Sequence, residues 1–314
     1  MRDKTNRARG RASTVPVARR SLGQGDSHGC SQSVVVRLNK EPARLSCAII
    51  YYLLASAICM SQQKLVFAPR GIVDLGPVKN AGSGARYLAI NGVHHISKCK
   101  SHSNGAWVCF NEFFAARVSV KLGLPVPPFR VVPFRGDLAS TETWFCSRRI
   151  EPGDNPDAVS FGRLRNRDSL GSIAAFDLWL CNTDRKKLNL FVERFPDGTE
   201  KLFIIDHGHI LLTSGNLAQL RSPEFRDGKR IFSACPELTG AIRNVNELAS
   251  GLATIHSLTD QEIGEYIEDS PSEWIPDGGV LKDLKEYLLE RRDGLQSILE
   301  ADLGLFPNLT RGVA

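Results

Sequence analysis

The chain has 314 residues, 42% hydrophobic and 24% charged, a globular composition that excludes wholesale disorder and is long enough for two packed lobes. Its net charge of +6 is unevenly spread: residues 1–46 hold ten Lys or Arg against three Asp or Glu, and the rest holds 30 basic and 31 acidic residues. The folded part therefore lacks the basic footprint of a nucleic-acid binder.

Met1 to Arg44 is rich in Arg, Ser and Gly, has no helical or strand period, and is expected to be a disordered, solvated extension. A basic tail of this kind could also touch nucleic acid or an anionic membrane. Cys47 to Met60, CAIIYYLLASAICM, is an apolar run shorter than the ~18 residues of a spanning helix. A single-pass membrane anchor at 47–60 is its alternative reading. Ala55-Ser56-Ala57 resembles a signal cleavage site, but the polar region before it is far longer than a usual signal n-region. Met60, the second of two methionines, stands where the tail stops, and translation is expected to begin there. The expected organisation is a tail plus apolar segment at 1–60, an N-lobe at 61–150 and a C-lobe at 151–314. The eight cysteines are scattered, without Cys-x-x-Cys or zinc spacing, which suits a reducing, cytoplasmic setting.

Residues 61–150 read as a small strand-rich lobe with one helix. Lys64 to Phe67 and Gly71 to Leu75 are short strand candidates. Gly82-Ser83-Gly84 forms a small-residue turn whose backbone N–H groups could lie over phosphates. Tyr87 to Ile90 and Val93 to Cys99 are strands about an Asn91-Gly92 hairpin turn. Lys98 and Lys100 follow on one face, and the residues alone do not separate either from a surface lysine. Asn111 to Leu122 reads as a largely buried helix ended by Gly123, with Glu112 in its first turn. Helix-dipole complementarity and an ion pair with Lys98 are both open roles for Glu112. Phe129 to Phe134 and Thr143 to Ser147 complete the strands, and Arg148 to Gly153 connects onward.

The most informative stretch runs from Phe176 to Gly208, FDLWLCNTDRKKLNLFVERFPDGTEKLFIIDHG. Its first residues end a buried helix, which Asn182-Thr183-Asp184 breaks. Leu188 to Val192 and Leu202 to Ile205 read as strands about Asp197-Gly198. With that pair at the tip, Asn189 is expected opposite Asp206. An amide and a carboxylate so paired are oxygen ligands suited to Mg²⁺. Asp184 lies on the loop feeding the same end, placed to accept a hydroxyl proton. Beyond Gly208 the spacing predicts helices at 247–256, 259–267 and 280–299. His207 is expected to pack beside Asp206 rather than to do acid–base work, and Trp179 and Trp274 to lie in the core.

Asp-x-x-x-x-Asn, a hairpin, then Ile-Asp-His-Gly is the arrangement of protein-kinase-like phosphotransferases. NTDRKKLN and IIDHG, with LGLPVPPFRVV upstream, make the chain similar to the HipA-like kinase family over roughly residues 65–215. The resemblance implies an α+β, two-lobed protein-kinase-like fold, with a strand-rich N-lobe that binds ATP and a mainly helical C-lobe. It favours Lys98 as the phosphate-contacting lysine, paired with Glu112, and a phosphate loop at Gly82, Ser83 and Gly84. Asp184 is then catalytic, Asn189 and Asp206 hold Mg²⁺, and residues 148–153 form the adenine-binding hinge. Arg185 would offset charge at the γ-phosphate or make a structural salt bridge. Ser83 would be a candidate autophosphorylation site. The acceptor implied is a protein serine or threonine, and some family members are toxins paired with a DNA-binding antitoxin. A phosphoinositide or small-molecule kinase and a non-catalytic nucleotide-binding scaffold are the rival readings.

Overall fold

A computed structural model describes residues 71–79, 84–103, 105–150, 160–211, 235–275 and 279–310. The tail, the apolar run 47–60, the strand expected at 64–67, Gly82, Ser83 and the hinge residues from 151 on lie outside them. All the described residues belong to one unit, Lys64–Ala314. Among them no helix is long and apolar enough to cross a membrane.

The first half folds around a five-stranded antiparallel sheet. Its strands are β1 (Ile72–Pro77), β2 (Arg86–Ile90), β3 (Val93–Lys98), β4 (Phe129–Phe134) and β5 (Glu142–Arg148), in the order β1-β2-β3-β5-β4. Ile90 pairs with Val93, so Asn91-Gly92 makes a two-residue turn; both have positive φ (52° and 77°), as a primed hairpin turn requires. Pro133 is tolerated because β4 is an edge strand. Leu88, Ile90, Val132, Trp144 and Cys146 form a small apolar cluster within this lobe.

Helix α1 (Ala106–Lys121) begins five residues before the expected Asn111. Trp107 through Ala116 are all buried, so the helix start has no amphipathic edge to announce it. The correction matters for Glu112. It lies in the second turn, the first turn holds no acid, and the helix-dipole role lapses.

The second half is built on α2 (Leu170–Trp179), followed by the hairpin β6 (Leu190–Arg194) and β7 (Glu200–Ile204), then α3 (Pro236–Ala241), α4 (Val245–His256), α5 (Asp260–Glu268) and α6 (Gly279–Ala301). Nearly every residue of α2 is buried. It meets α4 backbone to backbone: a Cβ on Gly171 would stand 2.0 Å from the Glu247 carbonyl oxygen, so only glycine permits this crossing. Arg291 of α6 donates to the carbonyls of Leu178 and Trp179, and the Trp179 indole donates to the Leu288 carbonyl at 2.9 Å. The arginine bonds cap the carbonyl end of α2, and the indole bond ties that end to the middle of α6. Phe110 and Phe114 of α1 and Phe176 and Trp179 of α2 share one core, so the two lobes are joined by packing as well as by chain.

The β6–β7 register differs from expectation by one residue. Leu190 pairs with Ile204 and Arg194 with Glu200, so the position opposite Asn189 belongs to Ile205, whose N–H donates to the Asn189 carbonyl at 3.1 Å. The turn has three residues rather than two. Gly198 N–H donates to the Phe195 carbonyl at 2.9 Å, Phe195 N–H donates to the Thr199 carbonyl at 2.9 Å, and Gly198 has φ 77°. This is a type I turn with Pro196 at its second position, closed by a left-handed glycine.

Candidate active site

The site begins with a lysine at the end of a strand. Lys98 is the last residue of β3 and is only 5% exposed. A buried ammonium needs partners. Its Nζ stands 2.5 Å from Glu112 Oε1 and 2.7 Å from Asp206 Oδ1. Burial alone would lower the Lys98 pKa; the two carboxylates outweigh it and leave the group well above its ordinary value. Asp206 shows the converse. Burial would raise its pKa, but the Lys98 ammonium holds it well below the usual carboxylate range. Glu112 is raised, because its burial and the Asp206 charge exceed the relief from Lys98. Lys100 is exposed and makes no part of this cluster.

Asp206 reaches Lys98 by a left-handed backbone. Its φ is 58°, uncommon for a residue other than glycine. The extended run of β7 ends at Ile204, and the turn at Asp206 swings the chain towards α1. Three contacts then fix the following residues. His207 N–H donates to Glu112 Oε2 at 3.1 Å, and Asn111 Nδ2 donates to the carbonyls of Gly208 and Ile210 at 2.9 and 2.7 Å. Gly208 lies against the ion pair. A Cβ there would sit 3.0 Å from Val108 and 3.6 Å from both Glu112 Oε1 and Lys98 Nζ. His207 is buried, its ring edge-on to Phe176, and burial together with the Arg185 charge holds it well below its ordinary pKa, so it is neutral. It packs beside Asp206, as the sequence suggested.

The loop before β6 is held by a different cluster. Arg185 is completely buried and grips Asp177 with two bonds, Nε to Oδ2 at 2.8 Å and Nη2 to Oδ1 at 2.9 Å. Its Nη1 donates to the Ile205 carbonyl at 3.0 Å and, more weakly, to the Asn189 carbonyl at 3.4 Å. Asn182 donates to Asp177 Oδ1 at 2.7 Å and accepts from the Asp184 N–H at 3.1 Å. Of the two roles expected for Arg185, the geometry is that of a structural salt bridge. Sequence reading missed Asn182 and the use of Asp177. The signal was present: an acid on a buried helix with an arginine eight residues on.

Asn189 is buried, and its Nδ2 donates to the Asp184 carbonyl at 2.8 Å, which turns its amide oxygen to other use. The Asp184 carboxylate is 30% exposed, and Lys186 Nζ lies 2.9 and 3.1 Å from its two oxygens. The predicted residues thus fall in two groups. Lys98, Glu112 and Asp206 touch; Asp184 and Asn189 touch each other, and Arg185 ties their loop to the Ile205 carbonyl. Gly84, with φ 64°, lies against the loop after β3, where a Cβ would collide with the His102 carbonyl oxygen at 1.6 Å.

A cavity of about 230 Å³ opens on the Lys98 cluster. Ala85, Ile96 and Phe145 of the sheet lobe and Phe191 and Ile204 of the helical lobe line its apolar walls, and Lys98, Glu112 and Asp206 give it one charged end. Ser147 through Ile150 form part of the wall where the chain passes between the lobes. A flat apolar group fits between such walls, and an anionic group fits against Lys98.

Comparison with known proteins agrees with this geometry. A family model described as HipA-like kinase matches residues 89–277. Among solved structures, the proinflammatory kinase CtkA of Helicobacter pylori aligns with a TM-score of 0.53 at 15% identity, over 75% of this chain and 96% of that one. WaaP, solved in complex with acyl carrier protein, aligns with a TM-score of 0.32 at 14% identity, over 74% and 90% of the two chains. The MAP kinase LmaMPK10 from Leishmania major gives 0.28 at 10% identity, over 85% and 92%. No curated protein matches. With more than half of its length matched by the family model, and with its strand-rich and helical lobes folded as in a kinase, this chain belongs to the HipA-like kinase family.

Proposed function

We propose that the chain transfers the γ-phosphoryl group of ATP to a hydroxyl, that of a serine or threonine in a protein. The observation that carries the reading is Lys98, held between Glu112 and Asp206 at the charged end of an otherwise apolar cavity. Lys98 steadies the α- and β-phosphates, and Glu112 keeps it aimed. The Asp206 carboxylate and the Asn189 amide oxygen are hard oxygen donors, the chemistry that suits Mg²⁺. When bound, that ion neutralises charge on the β- and γ-phosphates. A phosphate loop at Gly82, Ser83 and Gly84 belongs to this reading through the family resemblance alone.

Asp184 orients the acceptor hydroxyl and takes its proton, while Lys186 beside it supplies positive charge near the group in transfer. In a loose transition state the proton leaves late, so a carboxylate base suffices and most of the work is positioning and charge neutralisation. Arg185 does not touch the substrate; through Asp177 and the Asn189 and Ile205 carbonyls it sets the loop that carries Asp184.

The protein acceptor and a DNA-binding antitoxin partner belong to this reading through the family, and a reducing cytoplasmic setting through the scattered cysteines and the nucleotide chemistry. The five described cysteines are all buried and none is in a disulfide, which suits the last of these. Incubation of the chain with γ-labelled ATP, with lysate protein in one arm and phosphoinositide vesicles in the other, tests the acceptor. Label on protein serine or threonine is expected. Label on lipid alone would overturn the protein assignment, and ATP binding without transfer in either arm would favour a scaffold.

A further inference from the structure

Helix α1 carries Glu112 on the face that meets Lys98. A second stripe at four-residue spacing, Phe113, Arg117 and Lys121, turns away from that face, and every member touches the helical lobe. Phe113 meets Trp274 edge to face at 5.9 Å between ring centroids. Arg117 Nη2 lies 2.8 Å from Asp269 Oδ2, and its guanidinium stands 5.9 Å from the Phe113 ring centre and 5.5 Å from that of Tyr266. Lys121 pairs with Glu262. Glu262 is itself fixed, because its other oxygen accepts the Thr259 N–H at 2.9 Å in the capping box that starts α5.

Helix α1 is thus loaded from two sides: Lys98 and the 207–210 backbone on one, α5 and the Trp274 turn on the other. A rotation or slide of α1 that withdrew Glu112 from Lys98 would have to break the outer contacts as well. Single exposed ion pairs are weak. Here two of them lie on one stripe, with a guanidinium between two aromatic rings, which makes a network rather than isolated pairs.

We propose that Arg117 and Lys121 are positioning residues for phosphoryl transfer, which hold Glu112 on Lys98 by pinning α1 to Asp269 and Glu262 of the helical lobe. The Lys98–Glu112 pair is then kept formed by the fold itself, and charges on the second stripe of α1 set how firmly phosphate is gripped. This rests on the phosphotransfer reading of the site.

The test compares ATP with adenosine, which has no phosphate for Lys98 to hold. Calorimetric affinities are measured for the full chain, Arg117→Glu, Asp269→Arg and the double exchange, each checked for wild-type melting. Arg117→Glu is expected to weaken ATP about five- to tenfold and leave adenosine unchanged, and the double exchange to recover most of the loss. Unchanged ATP affinity, a parallel fall for both ligands, or a double exchange no better than its parents would overturn the proposal. If Arg117→Glu does not fold, Lys121→Glu with and without Glu262→Lys carries the same test at about two- to threefold. A wild-type chain that binds ATP no better than adenosine fails differently: it contradicts the phosphotransfer reading itself.

Discussion

The Lys98–Glu112–Asp206 cluster and the Asp177–Arg185–Asn182 cluster are both buried charge networks in one core, and they differ in what they open onto. Asp177 and Arg185 have side chains 1% exposed, and their bonds go to each other, to the Asn182 side chain and to the loop backbone. Asp206 keeps 31% of its side chain exposed on a cavity wall, and the ammonium beside it has two carboxylates to choose between. The sealed network has no further partner to gain, so it can only hold shape. The open one can exchange a carboxylate for a phosphate. Burial of charge alone does not mark a functional site; burial beside a cavity, with a partner that can be traded, does.

That contrast is sharpest where it predicts opposite losses. Arg185→Ala leaves Asp177 charged, buried and unpaired, and should cost about 3–5 kcal/mol of stability. Chemical denaturation would show it as a lower midpoint. A loss under 1 kcal/mol would mean that the network is not sealed as described. Lys98→Met should do the reverse. The Asp206 side chain is partly exposed and can turn to solvent when the ammonium is lost, so stability should fall less than for Arg185→Ala. ATP affinity should fall about ten- to a hundredfold, the range for losing hydrogen bonds from a charged donor. Equal losses in the two variants would erase the distinction.

The smallest effect lies outside both clusters, at the hairpin tip. The Thr199 hydroxyl and N–H, with Arg165, hold the Asp197 carboxylate at a pKa of about 2. A depressed carboxylate contributes stability above its unfolded pKa and loses it as pH falls through the folded value. The hairpin should therefore keep this contribution down to about pH 4 and lose it towards pH 2. Carboxyl-carbon NMR titration checks it, and a midpoint near 4 would refute the turn geometry.

How much of this was legible in the chain depends on the residue. The strands were readable because their alternation and the Asn91-Gly92 and Asp197-Gly198 turns are local signals. The one-residue error at Asn189 and Asp206 came from treating Asp197-Gly198 as the whole loop. Pro196, whose fixed φ suits the second position of a type I turn, was the cue for a longer one. The pairing of Lys98 with Glu112 was anticipated from resemblance, since the residues alone left it level with a dipole role. The start of α1 was hidden because a helix buried on nearly all sides has no polar face to set its phase. The left-handed turn at Asp206 and the place of Gly208 against the ion pair depend on contacts with α1 about a hundred residues earlier, which local pattern cannot carry.

The most direct test of the central claim is Asp184→Ala, read in one preparation by ATP affinity and by single-turnover transfer of labelled γ-phosphate. Because Lys98 and Asp206 remain, ATP should bind within about twofold of wild type, while transfer falls by about 10²–10⁴, the range for losing a positioned base. Transfer at a near wild-type rate would contradict the account, as would loss of ATP binding together with transfer.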